Sequence, residues 1–417
     1  MIIKYLFIKG IKVRRYILAI FIGLIFFFLG LFGLLLRMNV HINFFREILN
    51  YTRIRAIYIS LLIAGGYAVL AGISGILRKM QAYAHRAALD VNTLKYVAKS
   101  NELERGAEFV VIGGGTGISN LLKGLKRFSS NITAVVTVTD EGGSSGRLRE
   151  TMNILPPGDI RNCIVSLAED DILLSRVFQY RFTKGELKGH SLGNLLIAGM
   201  TELQGDFIEG LVNVGRILSI RGTVLPSTTE NVRLKAVYDG GSAVIGEVNI
   251  EQTPKRIEKM EIIPENAHTL PEVIEAINKA DYIFIGPGSL FTSIIPNLLI
   301  KDIAAALAST TAKKIYIANV MTQQFETQDM TLSEHIKAIM HNSNDRVIDC
   351  CLVHNADISK SLEEKYRSEG AFKVKIDTQN LENIGMPVYF GDFLRDEEDY
   401  LRHSAEKIWE FIKTRKL

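Results

Sequence analysis

Two long stretches without a charged residue, both near the start of the chain, constrain its fold most strongly. The first, YILAIFIGLIFFFLGLFGLLL, covers residues 16–36, and the second, AIYISLLIAGGYAVLAGISGIL, covers residues 56–77. About 20 apolar residues rising 1.5 Å each are enough for a helix to cross the hydrocarbon core of a bilayer. A buried core helix of that length would usually carry a charge on its polar face. Residues 1–77 are therefore predicted to form a transmembrane hairpin.

The cations that flank these stretches predict how the hairpin is oriented. Five Lys or Arg and no Asp or Glu precede residue 16, and three more follow between residues 78 and 86. The loop 37–55 also holds four arginines, so the contrast is moderate. The first stretch is too long for a secretory signal and lacks a small-residue cleavage site. We expect a two-pass protein of the inner (cytoplasmic) membrane, with its N-terminus and its body in the cytosol.

Charge separates the chain into the same two parts. Residues 1–105 hold 15 Lys or Arg and 4 Asp or Glu, a net charge of +11, whereas residues 106–417 hold 34 and 41, a net charge of −7. An acidic body disfavours nucleic acid as a partner, and the basic end favours the lipid bilayer. Residues 78–105, rich in Ala, Lys and Leu, predict a linker helix. The three cysteines lack metal-site or disulfide spacing.

The body, residues 106–417, repeats a pattern of strand, glycine loop and helix. The predicted strands are 109–112, 132–138, 282–285, 315–318, 347–353 and 388–390, and the predicted helices are 118–126, 290–300 and 397–413. Two alternating segments, 232–238 and 244–250, flank Asp-Gly-Gly-Ser and predict an inserted β-hairpin. Continuous apolar strands separated by helices predict an α/β fold, Rossmann-like and doubly wound, with a mainly parallel sheet.

The first glycine loop follows the first predicted strand and opens a helix. Its residues are Gly113, Gly114, Gly115, Thr116 and Gly117. Glycines let backbone amides approach a phosphate, and a helix N-terminus attracts an anion. The dinucleotide fingerprint GxGxxG is not met, because residue 118 is Ile, so an NAD-dependent reductase is disfavoured. A Walker loop is excluded, because the chain has no Gly-Lys dipeptide.

The second loop follows the second predicted strand and offers a further phosphate cradle. Its candidate ligand-binding residues are Asp140, Gly143, Ser144, Ser145, Gly146 and Arg147. A carboxylate at position 140 could hold a ribose hydroxyl or a Mg²⁺ ion. Residues 142–146 also satisfy GxSxG, but the serine stands too far from the strand end for a hydrolase nucleophile.

Further polar loops follow later elements of the same pattern. The candidates are Gly158, Asp159, Arg161 and Asn162 at a predicted helix start, His190, Ser191 and Asn194 in the loop GHSLGN, and Gly286, Gly288, Ser289 and Asn319 after two later strands. Asp159 could equally serve as a helix cap. Ligands of doubly wound sheets bind where such loops meet, at the carboxyl ends of the strands. We therefore expect one ligand site at this edge.

Six strings of these loops, in this order, resemble the CofD/YvcK-like family. They are VVIGGGTG (110–117), DEGGSSGRLR (140–149), PPGDIRNC (156–163), GHSLGNL (189–195), GPGSLFTSIIPNLL (286–299) and NVMTQ (319–323). Members of this family are 2-phospho-L-lactate transferases or gluconeogenesis factors. The transferases carry Gly-Asp-Asp and then His-Gly-Leu-Arg, whereas TDEGGSSGRLR resembles the gluconeogenesis-factor branch. Residues 325–328, Phe-Glu-Thr-Gln, depart from the family's Gly-Glu-Thr-Asp, and the membrane hairpin is an addition to the soluble form.

The resemblance implies a Rossmann-like body, from about residue 108 to residue 400, that binds a nucleotide or a nucleotide sugar. It also implies a regulator that connects carbon metabolism with cell shape and envelope precursor supply, with a homo-oligomer and envelope-synthesis proteins as partners to test. The alternative is a transferase that moves a phospho-lactyl-type group from an activated nucleotide. The resemblance leaves open whether the chain is an enzyme. The cofactor that would accompany a nucleotide is Mg²⁺.

Overall fold

The computed structural model describes residues 14–38, 51–84, 102–169, 172–395 and 399–417. The chain divides into two compact units, Met1–Glu104 and Arg105–Leu417. Most of the predicted linker helix, residues 85–101, and most of the cations before the first stretch lie outside the described residues.

The first unit contains two packed helices, α1 (Arg14–Met38) and α2 (Tyr51–Ala84). Both are long and apolar enough to cross a membrane, judged by length and composition. They pack through glycines: a Cβ on Gly23 would lie 2.8 Å from the carbonyl oxygen of Gly65, and one on Gly72 would lie 2.9 Å from that of Tyr16. These pairs run in opposite order along the helices, so α1 and α2 are antiparallel. A Cβ on Gly66, in contrast, would meet no atom of α1 within 4 Å.

The second unit contains a seven-stranded parallel sheet in the order β10-β9-β8-β7-β1-β2-β3. Its strands are β1 (Phe109–Gly113), β2 (Ile132–Val136), β3 (Thr223–Pro226), β7 (Tyr282–Ile285), β8 (Lys313–Ile317), β9 (Cys350–His354) and β10 (Val388–Gly391). Every residue of β1 and β9 is buried, as expected of strands covered on both faces. The predicted parallel, Rossmann-like fold is confirmed. Strand β3 was not predicted, because its apolar run is short.

Helices connect and flank these strands, and the hydrophobic core lies between them and the sheet. They are α3 (Gly115–Leu125), α4 (Gly143–Met152), α5 (Gly158–Leu167), α6 (Ile172–Gln179), α7 (Leu192–Gln204), α8 (Phe207–Ile217), α10 (Pro271–Lys279), a π-helix (Leu290–Ile294), α11 (Ile295–Leu298), α12 (Lys301–Ser309), α13 (Leu332–His341), α14 (Lys360–Ser368), α15 (Thr378–Ile384) and α16 (Ala405–Arg415). The predicted helix 290–300 is thus split, and the predicted helix 397–413 starts only at Ala405.

An inserted three-stranded antiparallel sheet follows β3, in the order β5-β4-β6. Its elements are β4 (Arg233–Tyr238), β5 (Ala243–Ile245), the short helix α9 (Glu247–Glu251) and β6 (Ile257–Ile263). The predicted hairpin exists, but its second arm, 244–250, is mostly wrong. Gly246, at φ +97°, turns the chain after three paired residues, and the rest of that arm is helical. The third strand was not predicted.

The strand order places the switch point of the sheet between β1 and β7. From β1 the chain passes to β2 and β3 on one side, and only later returns through β7 to β8, β9 and β10 on the other. The connections that leave β1 and β7 therefore run in opposite directions across the sheet, and such a switch point leaves a crevice at the carboxyl edge. Both loops were predicted as ligand-binding segments.

Candidate functional site

The glycine loops after β1 and β7 touch each other at the switch point. A Cβ on Gly117 would lie 2.7 Å from the carbonyl carbon of Pro287 and closer still to its oxygen, so only glycine fits there. Asn319, after β8, holds the second loop: its Oδ1 accepts the amide of Gly288 at 3.2 Å, and its Nδ2 donates to the Gly288 carbonyl at 2.6 Å. Asn319 is therefore a positioning residue for the loop of Gly286 to Ser289.

A cavity of about 490 Å³ opens beside this contact. Four of the predicted residues line it: Gly117, Gly288, Ser289 and Asn319. The remaining walls come from the loop after β8 and from distant parts of the chain, and they include Asn120, Thr322, Gln323, Tyr366, Tyr400, Arg402 and His403. The aromatic wall residues were missed because they follow no glycine loop and reach the site only through the fold. Burial lowers the pKa of His403 to about 4, so this imidazole is neutral.

Asp159 lies against the first glycine loop. A Cβ on Gly114 would lie 2.7 Å from its Oδ2, and the amide of Gly115, at the start of α3, donates to its carboxylate. Burial and the nearby Asp140 raise the pKa of Asp159 to about 7. Asp140 in turn accepts the amide of Gly142 at 2.8 Å, at the start of α4. The positive ends of both helices therefore already face a carboxylate of this chain.

A carboxylate, that of Glu326, also faces the first amides of the π-helix that follows the β7 loop. Its Oε1 accepts the amides of Phe291 at 2.7 Å and Thr292 at 3.2 Å. The side chain is buried, and burial raises its pKa to about 7. Glu326 was not among the predicted site residues, although the segment that holds it, 325–328, departs from the family's Gly-Glu-Thr-Asp. Helix N-termini on three of the predicted loops are thus satisfied internally.

The inserted sheet adds two further carboxylates near Asp140. Glu247 accepts the amide of Glu141 at 3.1 Å, and burial, Asp140 and Glu251 together raise its pKa to about 9. Burial and Asp140 also raise the pKa of Glu251. Glu247 was missed because residues 244–250 were predicted as a strand, and Glu251 directly follows that segment. Within the described residues no three His, Cys, Asp or Glu side chains are placed to hold a metal ion, and Mg²⁺ stays a prediction tied to a nucleotide.

Ser144 is held in a hydrogen-bond network between α4 and the loop before α7. Its Oγ lies 3.1 Å from Nδ1 of His190 and accepts from the Asn194 amide at 3.1 Å and, more weakly, from the Ser191 amide at 3.4 Å. Arg161 fixes the amide orientation, because its Nη1 donates to Asn194 Oδ1 at 2.8 Å. Both lone pairs of the serine oxygen therefore face donors. The hydroxyl of Ser144 thereby connects the start of α4 to the start of α7.

Three arginines surround the loop before α7. Arg147 Nη2 donates to the Lys188 carbonyl at 3.0 Å, Arg181 Nη1 donates to the Gly189 carbonyl, and Arg161 Nη1 donates to Ser191 Oγ. Arg147 and Arg161 were predicted, whereas Arg181 was missed because it follows no strand and belongs to no glycine loop.

Several predicted glycines have packing roles at this edge. A Cβ on Gly146 would collide with the Glu141 carbonyl, and one on Gly158 would collide with Ser145 Oγ. Gly113 packs on Ile118. In contrast, Gly143 is exposed at φ +48°, and a Cβ there would meet nothing within 4 Å. The side chain of Asn162 accepts a hydrogen bond from Arg161 Nη2 at 2.8 Å. Predicted residues from the loops after β1, β7 and β8 line the cavity, whereas Ser144, in the second glycine loop, contacts His190 and Asn194 instead.

Comparison with known proteins identifies the family. Residues 109–394 match the family described as 2-phospho-L-lactate transferase CofD. A protein of Clostridium acetobutylicum is 40% identical over 96% of this chain and 88% of its own length. Proteins named gluconeogenesis factor from Halalkalibacterium halodurans and Bacillus subtilis are 47% and 43% identical, over 73% and 72% of this chain and 94% and 95% of theirs.

A solved structure agrees with the fold. A UPF0052 family protein from Bacillus halodurans, 46% identical, covers 74% of this chain and 99% of itself with a TM-score of 0.71. The strings that carried the predicted resemblance all lie within the matched residues, and the chain therefore belongs to the CofD family, where its curated relatives carry the name gluconeogenesis factor.

Proposed function

We propose that this protein is a membrane-anchored, cytosol-facing gluconeogenesis factor that binds a nucleotide sugar of the UDP type and regulates carbon flux, cell shape and envelope precursor supply. The observation that carries the binding proposal is the cavity at the switch point, because its walls come from three successive strand-end loops. Its volume of about 490 Å³ lies within the usual range for small-ligand sites.

The cavity walls suit a nucleoside. Tyr366 and Tyr400 offer aromatic surface for a base, and because Lys365 Nζ lies over one face of the Tyr400 ring, 3.8 Å from its centre, a base would stack on the opposite face. Backbone groups of the glycine loops and the side chains of Asn120 and Gln323 offer hydrogen bonds to a base edge or ribose. Stacking on an aromatic side chain contributes roughly 1–3 kcal/mol per base.

The anchoring part of the proposal rests on α1 and α2. Their apolar surfaces are largely exposed, as in Phe21, Phe28 and Phe32, which suits contact with lipid. The flanking cations favour a cytosolic body, so that the cavity would meet cytosolic nucleotides. A homo-oligomer and envelope-synthesis enzymes remain partners to test.

Isothermal titration of the detergent-purified chain with UDP-N-acetylglucosamine, UDP and uridine tests the proposal. We expect saturable binding that Tyr400→Ala weakens about tenfold, from the loss of stacking. Leu203→Ala is the matched control, because Leu203 is an exposed residue of α7 outside the cavity walls. The absence of binding for every uridine nucleotide sugar would contradict the proposal.

The family description supports a second candidate, a transferase that moves a phospho-lactyl-type group from an activated nucleotide to an alcohol. Such chemistry depends mainly on positioning and charge neutralisation. Incubating the chain with a nucleotide-activated phospho-lactate, an alcohol acceptor and Mg²⁺ tests it by mass spectrometry. Release of free nucleotide without a transferred product would count against it.

A further inference from the structure

The loop 188–191 is surrounded by three guanidinium groups from three separate elements. Arg147 lies on α4, Arg161 lies on α5, and Arg181 follows α6. Each donates to this loop, to the Lys188 carbonyl, to Ser191 Oγ and to the Gly189 carbonyl, respectively. The guanidinium groups are therefore fixed in place by neutral acceptors. Arg147 and Arg181 are exposed and can be reached from solvent.

In the part of the chain that the structure describes, none of the three forms an ion pair, although Asp159 and Asp140 stabilise the charge of Arg161 from a greater distance. No carboxylate of the described residues lies within 4.0 Å of these three arginines. Arg161 is buried, and its Nε has no hydrogen-bond partner. The pKa of His190 is lowered by burial and by Arg147 and Arg181, which reflects the positive potential at this loop. Bringing like charges together costs free energy that a bound anion would recover.

The helix N-termini at this edge, which also attract anions, already face carboxylates of this chain. The amides at the starts of α3, α4 and the π-helix face Asp159, Asp140 and Glu326. A phosphate placed there would meet a carboxylate of this chain, whereas a phosphate at loop 188–191 would meet guanidinium groups. Arginine is well suited to phosphate, because its planar fork can donate two parallel hydrogen bonds.

We propose that Arg147, Arg161 and Arg181, arranged around loop 188–191, form a binding site for a phosphate group of a small ligand. Arg147 and Arg181 contact the phosphate, and Arg161 positions the loop through Ser191 and Asn194. The phosphate chemistry does not depend on the proposed nucleotide-sugar function. The phosphate belongs either to the nucleotide bound in the cavity or to a second phosphorylated compound, and the experiment distinguishes these sources.

The test uses the full chain in detergent and inorganic pyrophosphate as the probe. Thermal unfolding with increasing pyrophosphate gives the affinity, because a ligand that binds the folded state raises the midpoint. We expect Arg181→Gln to weaken this affinity about tenfold, the loss of one charge-assisted contact. Arg176→Gln is the matched control, because Arg176 is an exposed arginine of α6 with no described contact to the loop and gives the same charge change.

Each outcome decides the proposal. A smaller midpoint rise on adding pyrophosphate in Arg181→Gln and in Arg147→Gln, each measured against its own midpoint without pyrophosphate, supports it. Equal affinities for Arg181→Gln and Arg176→Gln, or no effect of pyrophosphate on the unmodified chain, overturns it. If saturating UDP blocks pyrophosphate, the phosphate belongs to the nucleotide, and if both bind together, it belongs to a second compound. Pyrophosphate binding without any nucleotide binding would contradict the proposed function alone.

Discussion

Replacing Gly117 with alanine should separate the two loops that form the switch point. A Cβ at this position would lie 2.7 Å from the carbonyl carbon of Pro287 and 3.1 Å from Cα of Gly288. Both are backbone atoms, so no side-chain rotation relieves the clash. The loop must move away, which strains the two hydrogen bonds between Gly288 and Asn319.

The magnitude follows from three contributions. Overpacking costs about 1–3 kcal/mol. Weakening the two Asn319 hydrogen bonds costs about 1 kcal/mol for each bond that is lost. Alanine inside α3 recovers about 1 kcal/mol of helix propensity relative to glycine. With both bonds lost, we therefore expect Gly117→Ala to lower the free energy of unfolding by about 2–4 kcal/mol, and to weaken nucleotide binding because the cavity wall moves.

The assay exploits the single tryptophan of the chain. Trp409 packs on Phe109 of β1, with ring centroids 4.9 Å apart, so its fluorescence reports unfolding of the second unit. Gly199→Ala is the matched control, because a Cβ there meets nothing within 4 Å inside α7, and it should raise stability by about 0.5–1 kcal/mol. Wild-type stability and binding in Gly117→Ala would refute the close approach of these loops.

Three further perturbations test other parts of the structure. The folded-state pKa of Glu326, about 7 against an ordinary 4.5, means that ionisation destabilises the fold as the pH rises between these values. The free energy of unfolding of Glu326→Gln should therefore equal that of the unmodified chain near pH 4.5 and exceed it by about 3 kcal/mol above pH 7. The fluorescence assay measures both, and a gain that does not depend on pH would contradict the raised pKa of Glu326. Phe325 occupies left-handed backbone at φ +63°, so Phe325→Gly should be more stable than Phe325→Ala by about 1 kcal/mol, the reverse of the usual order; thermal or urea unfolding gives the sign. In the hairpin, Gly65→Leu should loosen the packing of α1 on α2, because a Cβ there would lie 2.5 Å from the amide nitrogen of Phe27. Gly66→Leu is the control, because a Cβ on Gly66 would meet nothing within 4 Å. The mobility of the two variants in an SDS gel should differ, and equal mobility would refute the packing of Gly65 on α1.

The meeting of the two glycine loops at one edge of the sheet could be predicted from local sequence. A strand followed by GGGTG and a later strand followed by GPGS must place their loops at one edge, because all strands of the sheet are parallel. The contact of Gly117 with Pro287 is the outcome of that rule. The two apolar helices could be predicted in the same way, because about twenty apolar residues in succession favour a helix long enough to cross a membrane.

The roles of individual polar groups could not be predicted in this way. Local sequence predicts that the glycine-loop amides bind a phosphate. In the structure, Asp159 and Glu326 accept hydrogen bonds from such amides, and this depends on how α5 and the loop after β8 pack. Tyr366 and Arg181 join their sites from segments without any local signal.

The amino-acid sequence by itself determined the two apolar helices, the parallel sheet and the edge at which its glycine loops meet, because these depend on hydrophobic period and on residues adjacent in the chain. The tertiary structure alone decided which carboxylates face the helix N-termini and which arginines stay without an ion pair. Hydrogen bonds and charge interactions act over a few ångströms between segments far apart in sequence, and only the packing of those segments fixes such distances.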